Sequence, residues 1–492
     1  MSSTPEGRWE RYLSETSRAY GFSPPSGGTS ISIAAQKVRL LTISILYASC
    51  LIYSYIYYLS PVWAYMGYPP YNAERSQTAL IFSVFIIGIL SLSMKPVIRT
   101  YSNFVSWFLF FFLYIPMTII VSMQGLEDDG GLVLILSIAA AFTLIAFLPE
   151  TIQAGRQKER GRSLRVRYDK AVGHRTPAFG PFSIIMISLY IALSSVTLVY
   201  FGSMMRIANF YEVYDQRAIF ASISGNGDLV SYVLQWLIRL FAPFMLAVGI
   251  MYRRKLFAIL GLATFLMGYA IQGAKYIPVL IALMLIFHYF ILSRNEIRAE
   301  RIGLVALMGL FSPLLIISVY GITISDSLDI LLSQGIKRMF GTSGMTIGLY
   351  SQFFHYNHLT YYSHVGLISH FIEYPYPLPI GRMVGWSTIG NTSYNASANF
   401  LATDGVAALG YIGIVVIGGI LGIILSAMNS WASGEDLRLL CLSSLSAVWT
   451  LVDSSLFSTM LSGGWPLFFL FVHFYLKEQR GRILQVARLQ SW

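Results

Sequence analysis

Apolar residues in this chain come in long blocks rather than in alternation, and polar residues collect in the mostly brief segments between them. A helix needs about 20 apolar residues to cross the hydrocarbon of a bilayer. Runs of that kind occupy 40–60, 77–94, 104–123, 132–149, 181–203, 229–251, 256–271, 276–292, 302–322, 407–427, 439–461 and 465–476, with the seventh, eighth and twelfth short. The pattern predicts an all-α polytopic membrane protein of about 12 transmembrane helices. It divides into a polar tail at 1–36, a transmembrane bundle over 37–478 and a second tail at 479–492. Two longer segments, 204–228 and 323–406, leave the bundle on one side, and a basic segment, 150–180, leaves it on the other.

Composition and charge sharpen this picture. Hydrophobic residues make up 55% of the chain and charged residues 12%, about half the share usual in a soluble domain. The mean hydropathy is +0.61. The net charge of +11 does not indicate nucleic acid, because the basic residues stand beside apolar runs, where they set orientation and meet anionic headgroups. Lys37 and Arg39 precede the first run, and Lys95 and Arg99 follow the second. Arg156, Lys158, Arg160, Arg162, Arg165, Arg167, Lys170 and Arg175 follow the fourth. Arg253, Arg254 and Lys255 follow the sixth, and Arg294, Arg298 and Arg301 the eighth. Arg438 precedes the eleventh, and Lys477, Arg480, Arg482 and Arg488 follow the twelfth. If all twelve runs cross, every one of these segments falls on one side, which the positive-inside rule makes cytoplasmic, with both termini. One span more or fewer breaks the pattern. Cys50 and Cys441 lie inside apolar runs and predict neither a disulfide framework nor a metal centre. The polar opening of the chain, with Arg8, Arg11 and Arg18, has no cleavable signal-peptide pattern.

Several cations oppose the orientation signal: Arg75, Arg206, Arg217, Lys275, Lys337, Arg338 and Arg382. Pairing with Glu74, Glu212, Asp215, Asp326 or Glu373 accounts for any one of them. As a set they point to an anion site at the outer membrane surface, since Arg offers a fork that fits phosphate oxygens and Lys a compact charge. Arg239 and Asp453 fall within the sixth and eleventh runs. A charge in hydrocarbon is costly, so these two either pair with each other or line a polar cavity.

The segment 323–406 carries the densest chemistry. Its beginning, from Asp326 to Phe340, has apolar residues at helical spacing and is expected to lie along the membrane surface. Tyr350-Ser-Gln-Phe-Phe-His-Tyr-Asn-His and Tyr361-Tyr-Ser-His follow, residues suited to stacking on sugar rings or to the headgroup level. His355, His358, His364 and His370 raise a zinc reading, but no Cys or clustered carboxylate completes a ligand set, so no metal is expected. No nucleophile elbow, Walker loop or dinucleotide fingerprint occurs in a supporting context. The segment closes on small and amide residues from Gly390 to Gly413.

At these residues the chain resembles the Wzy-type bacterial polymerases of O-antigen and capsular oligosaccharide repeat units. The matching pieces are Lys337-Arg338-Met-Phe, Tyr350-Ser-Gln-Phe-Phe, Asn399-Phe-Leu-Ala-Thr-Asp404-Gly and Leu409-Gly-Tyr-Ile-Gly413, with an Arg-bearing outer segment at Arg217. The plan of about twelve helices with a large loop between the ninth and tenth is similar too. The resemblance implies a GT-C-type glycosyltransferase bundle in the bacterial inner membrane. It implies transfer of a growing glycan from undecaprenyl pyrophosphate to a new lipid-linked repeat unit on the periplasmic face. No nucleotide sugar, cofactor or metal is implied; a chain-length regulator and a flippase are implied partners. A pyrophosphate leaving group needs preorganised cations, for which Arg217, Lys275, Lys337 and Arg338 are expected, with Arg239 behind them and Arg382 beside the glycan. The attacking hydroxyl needs a general base, and Asp404, then His370 or Glu373, are expected in that role. An O-antigen ligase shares this plan. A lipid-linked oligosaccharide flippase or ion-coupled carrier is the rival from another class, although no matched pair of broken helices appears in the two halves.

Overall fold

The computed structural model describes residues 32–126, 130–159, 180–207, 212–223, 229–320, 335–365, 368–390 and 394–490. The expectations for the tail before 32, the acidic turn 127–129, most of 150–180, part of 204–228 and the amphipathic start of the long segment up to 334 lie outside those residues. Among the described residues the protein is helical, with one isolated β-bridge between Val97 and Arg298 and no strand. In chain order the helices are α1 (Ile33–Met66), α2 (Ala73–Ser93), α3 (Tyr101–Gln124), α4 (Gly130–Glu159) and α5 (Pro181–Met204). There follow α6 (Val213–Ile223), α7 (Leu229–Met251), α8 (Lys255–Gln272), α9 (Tyr276–Leu292) and α10 (Ala299–Tyr320). The last are α11 (Lys337–Gly341 continuing as Thr342–Tyr356), α12 (Ile380–Ile389), α13 (Leu401–Trp431), α14 (Leu437–Ser443), α15 (Leu445–Thr450), α16 (Leu456–Leu461) and α17 (Trp465–Gln490).

Among the described residues, ten helical stretches are long and apolar enough to cross a membrane. They coincide with ten of the twelve runs read from hydropathy. The eighth run is the shorter helix α9. The eleventh is not one helix but three, α14, α15 and α16, with 451–455 unwound before the last. The unwound residues include Asp453, Ser454 and Ser455, whose side chains compete for backbone hydrogen bonds and favour helix ends over helix interiors. Ser455 accordingly caps α16 by accepting from the Ser458 N–H.

Helix α3 is buried along its whole crossing, as expected of a helix that is apolar on every face. Around it, small residues set the close approaches, because in lipid it is van der Waals packing rather than the hydrophobic effect that joins helices. A Cβ at Gly418 of α13 would come within 2.7 Å of the Ala141 backbone of α4, and one at Gly344 of α11 within 2.5 Å of Ile120 of α3. Gly348, one turn on, faces the Gln124 amide just as tightly. Helix α11 is therefore an interior helix rather than a surface one. The stretch from Ser343 to Ser351 is buried, while the described part of the segment expected along the surface, 335–340, buries Ile336, Lys337 and Phe340 and exposes Gly335 and Arg338.

The linkers sort to two ends. The Ile98 N–H donates to Ile297 O at 2.9 Å, the Arg438 guanidinium to Arg294 O at 2.8 Å and the Tyr252 hydroxyl to Asp436 at 2.9 Å. The basic linkers after the second, sixth and eighth runs and before the eleventh thus share one end of the bundle. The eleventh run starts there and reaches Asp404 at Ser455, so its unwound link lies at the far end, beside the long segment.

Candidate functional site

Six π-helical segments occur among the described residues, and three of them carry the charges singled out from sequence: Leu237–Phe241 holds Arg239, Lys337–Gly341 holds Lys337 and Arg338, and Leu401–Val406 holds Asp404. Such turns admit one extra residue and re-aim side chains, and they gather at functional sites.

Asp404 is fully buried at the start of α13. Asn399 prepares the turn: its side-chain oxygen accepts from Leu401 N–H at 3.0 Å and Ala402 N–H at 3.2 Å, while its amide donates to Ser343 O of α11 at 3.1 Å. Further along, Leu409 and Gly410 leave helical geometry, Gly410 at φ +65° and ψ −147°. The break frees the carbonyls of Ala407 and Ala408. These accept the N–H groups of Thr360 at 2.8 Å and Tyr361 at 3.2 Å. Tyr361 and Tyr362 stand at φ +47° and +65°, which costs about 1–3 kcal/mol per residue and persists only where neighbours enforce it. The strained corner delivers His364 to Asp404, with Nε2 to Oδ1 at 3.5 Å.

The two oxygens of Asp404 are treated differently. Oδ2 accepts from the Leu456 N–H at 2.6 Å and the Ser455 hydroxyl at 3.0 Å, both from the unwound link and α16. Oδ1 and His364 Nε2 are buried with no hydrogen bond. His364 Nδ1 meets the Thr360 hydroxyl at 2.9 Å.

His364, Ser455 and Thr403 line a cleft of about 600 Å³. Its other walls are Tyr350, Tyr374 and Tyr376, the run Pro377-Leu-Pro-Ile-Gly381, and Asn395, Ser397 and Ser454. Phenols, hydroxyls and an amide among apolar faces make a surface that can stack on a sugar ring and hydrogen-bond its hydroxyls. Burial pushes the Tyr374 phenol up to about 12, so at neutral pH it is a neutral donor; it donates to Leu378 O at 3.0 Å. The same link that serves Asp404 carries Asp453, which lies within electrostatic range of both Arg239 and Arg338. Ser397, on the cleft wall, donates to Asp453 O at 3.2 Å. Arg338 is exposed and also near Tyr68 and Tyr394.

The structure thus brings Asp404, Arg239 and Arg338 of the expected residues around one unwound link. Lys337 is different: its ammonium sits 3.2 Å from the Trp63 ring centroid and 3.4 Å from Met66 Sδ, enclosed by the end of α1. Burial, with Arg338 adjacent, lowers its pKa from 10.5 to about 7. It packs against α1 and does not line the cleft. Arg217 and Lys275 meet elsewhere, at the turn between α8 and α9, where Arg217 Nε donates to Gly273 O at 3.1 Å. Arg382 is exposed on α12, next to the cleft residue Gly381. His370 and Glu373 are exposed and do not line the cleft, so neither stands at Asp404; His364 does. His355 and His358 are exposed too, apart from His364. Sequence reading placed Tyr350 and His364 in stretches suited to sugar stacking and weighed His364 as a metal ligand, but it missed the pairing of His364 with Asp404, and it missed Thr360, Ser455, Tyr374 and Tyr376. The available signal was Thr360, four residues before His364, but only the break at Gly410 gives it meaning. Comparison with protein-family models, curated proteins and solved structures returns no match to this chain.

Proposed function

We propose that this protein is a membrane glycosyltransferase that extends a polysaccharide from a polyprenyl-pyrophosphate-linked donor, as its resemblance to the Wzy-type polymerases implies. The observation that carries the reading is the unwound link 451–455. On one side it donates to the buried Asp404 beside His364, and on the other it presents Asp453 to Arg239 and Arg338. His364 and the link residues Ser454 and Ser455 line the glycan-sized cleft, with Asp404 behind His364 and the two cations near the neighbouring Asp453.

In this reading an acceptor sugar hydroxyl enters the cleft past the phenols. Its oxygen bonds to the anomeric carbon of the donor as the bond from that carbon to the pyrophosphate oxygen breaks. The leaving pyrophosphate gains charge, which Arg338 and Arg239 offset; fixed cations at such a point are the largest usual term in catalysis. The hydroxyl proton passes to the Asp404–His364 pair, whose facing atoms Oδ1 and Nε2 have no other hydrogen-bond partner. Phosphate already supplies the leaving group, so nothing in the step needs a nucleotide sugar. Association with the bacterial inner membrane, with a chain-length regulator and with a flippase belongs to the same proposal.

The test is the glycan ladder of cells lacking the gene, complemented with wild type, Asp404→Asn or Arg338→Ala. We expect either variant to lower polymerisation by about 10²-fold, the scale of one acid–base group or one charge-stabilising donor, and to leave single repeat units on the acceptor lipid. A full ladder on the polyprenyl carrier that fails to reach its final acceptor would make the protein a ligase. Repeat units trapped at the cytoplasmic face would make it a flippase, and the roles of Asp404 and Arg338 would fall.

A further inference from the structure

Thr360 is 1% exposed, carries no charge and does not line the cleft, yet its hydroxyl decides where a proton sits. The hydroxyl oxygen lies 2.9 Å from Ala407 O and 2.9 Å from His364 Nδ1. A hydroxyl has one hydrogen to donate. Two buried oxygens in bare contact at 2.9 Å repel, so that hydrogen must lie between Thr360 and Ala407. The Thr360 N–H reaches the same carbonyl at 2.8 Å and fixes the geometry. The hydroxyl is left with only lone pairs to offer His364, so Nδ1 must bear a hydrogen and donate it.

The consequence reaches the far side of the ring. With Nδ1 protonated, a neutral imidazole presents the bare lone pair of Nε2 to Asp404 Oδ1, 3.5 Å away, and both atoms are buried without another partner. Two facing lone pairs in a buried site are unfavourable. One proton placed between them, on either atom, removes the conflict. We infer that Thr360 is a positioning residue that locks the proton of His364 on Nδ1 and so keeps one further proton stored between His364 Nε2 and Asp404 Oδ1. The pair that holds this proton is an acid first: it gives the proton to the departing pyrophosphate oxygen and, with Nε2 or Oδ1 then bare, takes the proton of the incoming hydroxyl in its place. This assignment rests on the reading of the cleft as the glycan-transfer site, but the lock itself does not.

The experiment is nitrogen NMR of the full chain in detergent micelles, labelled at its histidine rings, with His364→Gln identifying the His364 signals. Wild type and Thr360→Ser are expected to show a proton on Nδ1. Thr360→Val keeps the shape and the backbone bond to Ala407 but removes the hydroxyl. It should leave Nδ1 bare with a single proton on Nε2, and slow polymerisation about 10²-fold, whereas Thr360→Ser stays near wild type. A wild-type His364 with Nδ1 bare would overturn the inference outright, whether or not the Val variant folds. Loss of the Nδ1 proton in Thr360→Val with a normal ladder would overturn its positioning role. An Nδ1 proton in wild type together with a full ladder in Asp404→Asn would support the lock and refute the glycan-transfer reading instead.

Discussion

Lys337 shows how a side chain read correctly as unusual can serve a purpose other than the one expected. Its place on the wrong side of the charge pattern marked it as an anion ligand, but the ammonium is folded against Trp63 and Met66. A cation over an indole face recovers only part of its lost hydration, which is why burial lowers the pKa to about 7. Between about 7 and 10.5 the unfolded chain binds a proton that the folded chain does not, so stability should rise with pH across that window and level off above it. Below pH 7 both states are charged and the full penalty applies. Lys337→Met should therefore melt higher than wild type at pH 6, with the advantage shrinking towards pH 10, when detergent-solubilised protein is heated across that range. Equal pH slopes in the two proteins would mean that the ammonium is solvated. Asp404 is the opposite case. It was legible as the acidic residue of a small-residue run, and it proves to be held by hydrogen bonds to Ser455 and Leu456 that no spacing rule connects to it.

Among the helices, α13 does the most to build the site, and it does so through its irregularities. The π-turn at Leu401–Val406 aims Asp404 inward, and the break at Gly410 exposes the carbonyls that hold Thr360 and Tyr361. Gly410 adopts a φ/ψ combination that is almost exclusive to glycine. Gly410→Ala should destabilise the protein by about 1–3 kcal/mol and abolish the ladder, because straightening the helix withdraws both carbonyls from the 360–364 corner. Gly390→Ala is the control. Gly390 ends α12 at φ +72° and ψ 12° with open space around it, so it should cost about 1 kcal/mol and leave the ladder intact. A functional Gly410→Ala protein would show that the break does not build the corner. Hydropathy made the helices legible because every backbone group in lipid must bond within its own helix. The same reasoning could not reveal the π-turns, α11 inside the bundle or the unwound link, since each depends on neighbours that take over the freed polar groups.

The bundle sorts its linkers by charge, and this can be checked in cells. With Cys50 and Cys441 replaced by Ser, His358→Cys should react with a membrane-impermeant maleimide in spheroplasts, and Lys255→Cys only after permeabilisation; both positions are exposed. Equal labelling of the two would refute the orientation taken from the basic linkers. The interior position of α11 also orders events during synthesis. Its cradle is made by α3 on one side and by α13 on the other, where Ser351 meets the Tyr411 hydroxyl at 3.0 Å and Asn399 holds Ser343. At the moment α11 leaves the ribosome, the α13 wall of that cradle has not yet been made. The segment must wait at the membrane surface with Lys337 hydrated, and it docks only after the tenth run has entered the membrane. Insertion and docking are thus separate steps in the birth of this protein, and a chain interrupted before α13 would have its first nine runs inserted, α11 undocked and polar at the membrane surface, and would be an early target for quality control.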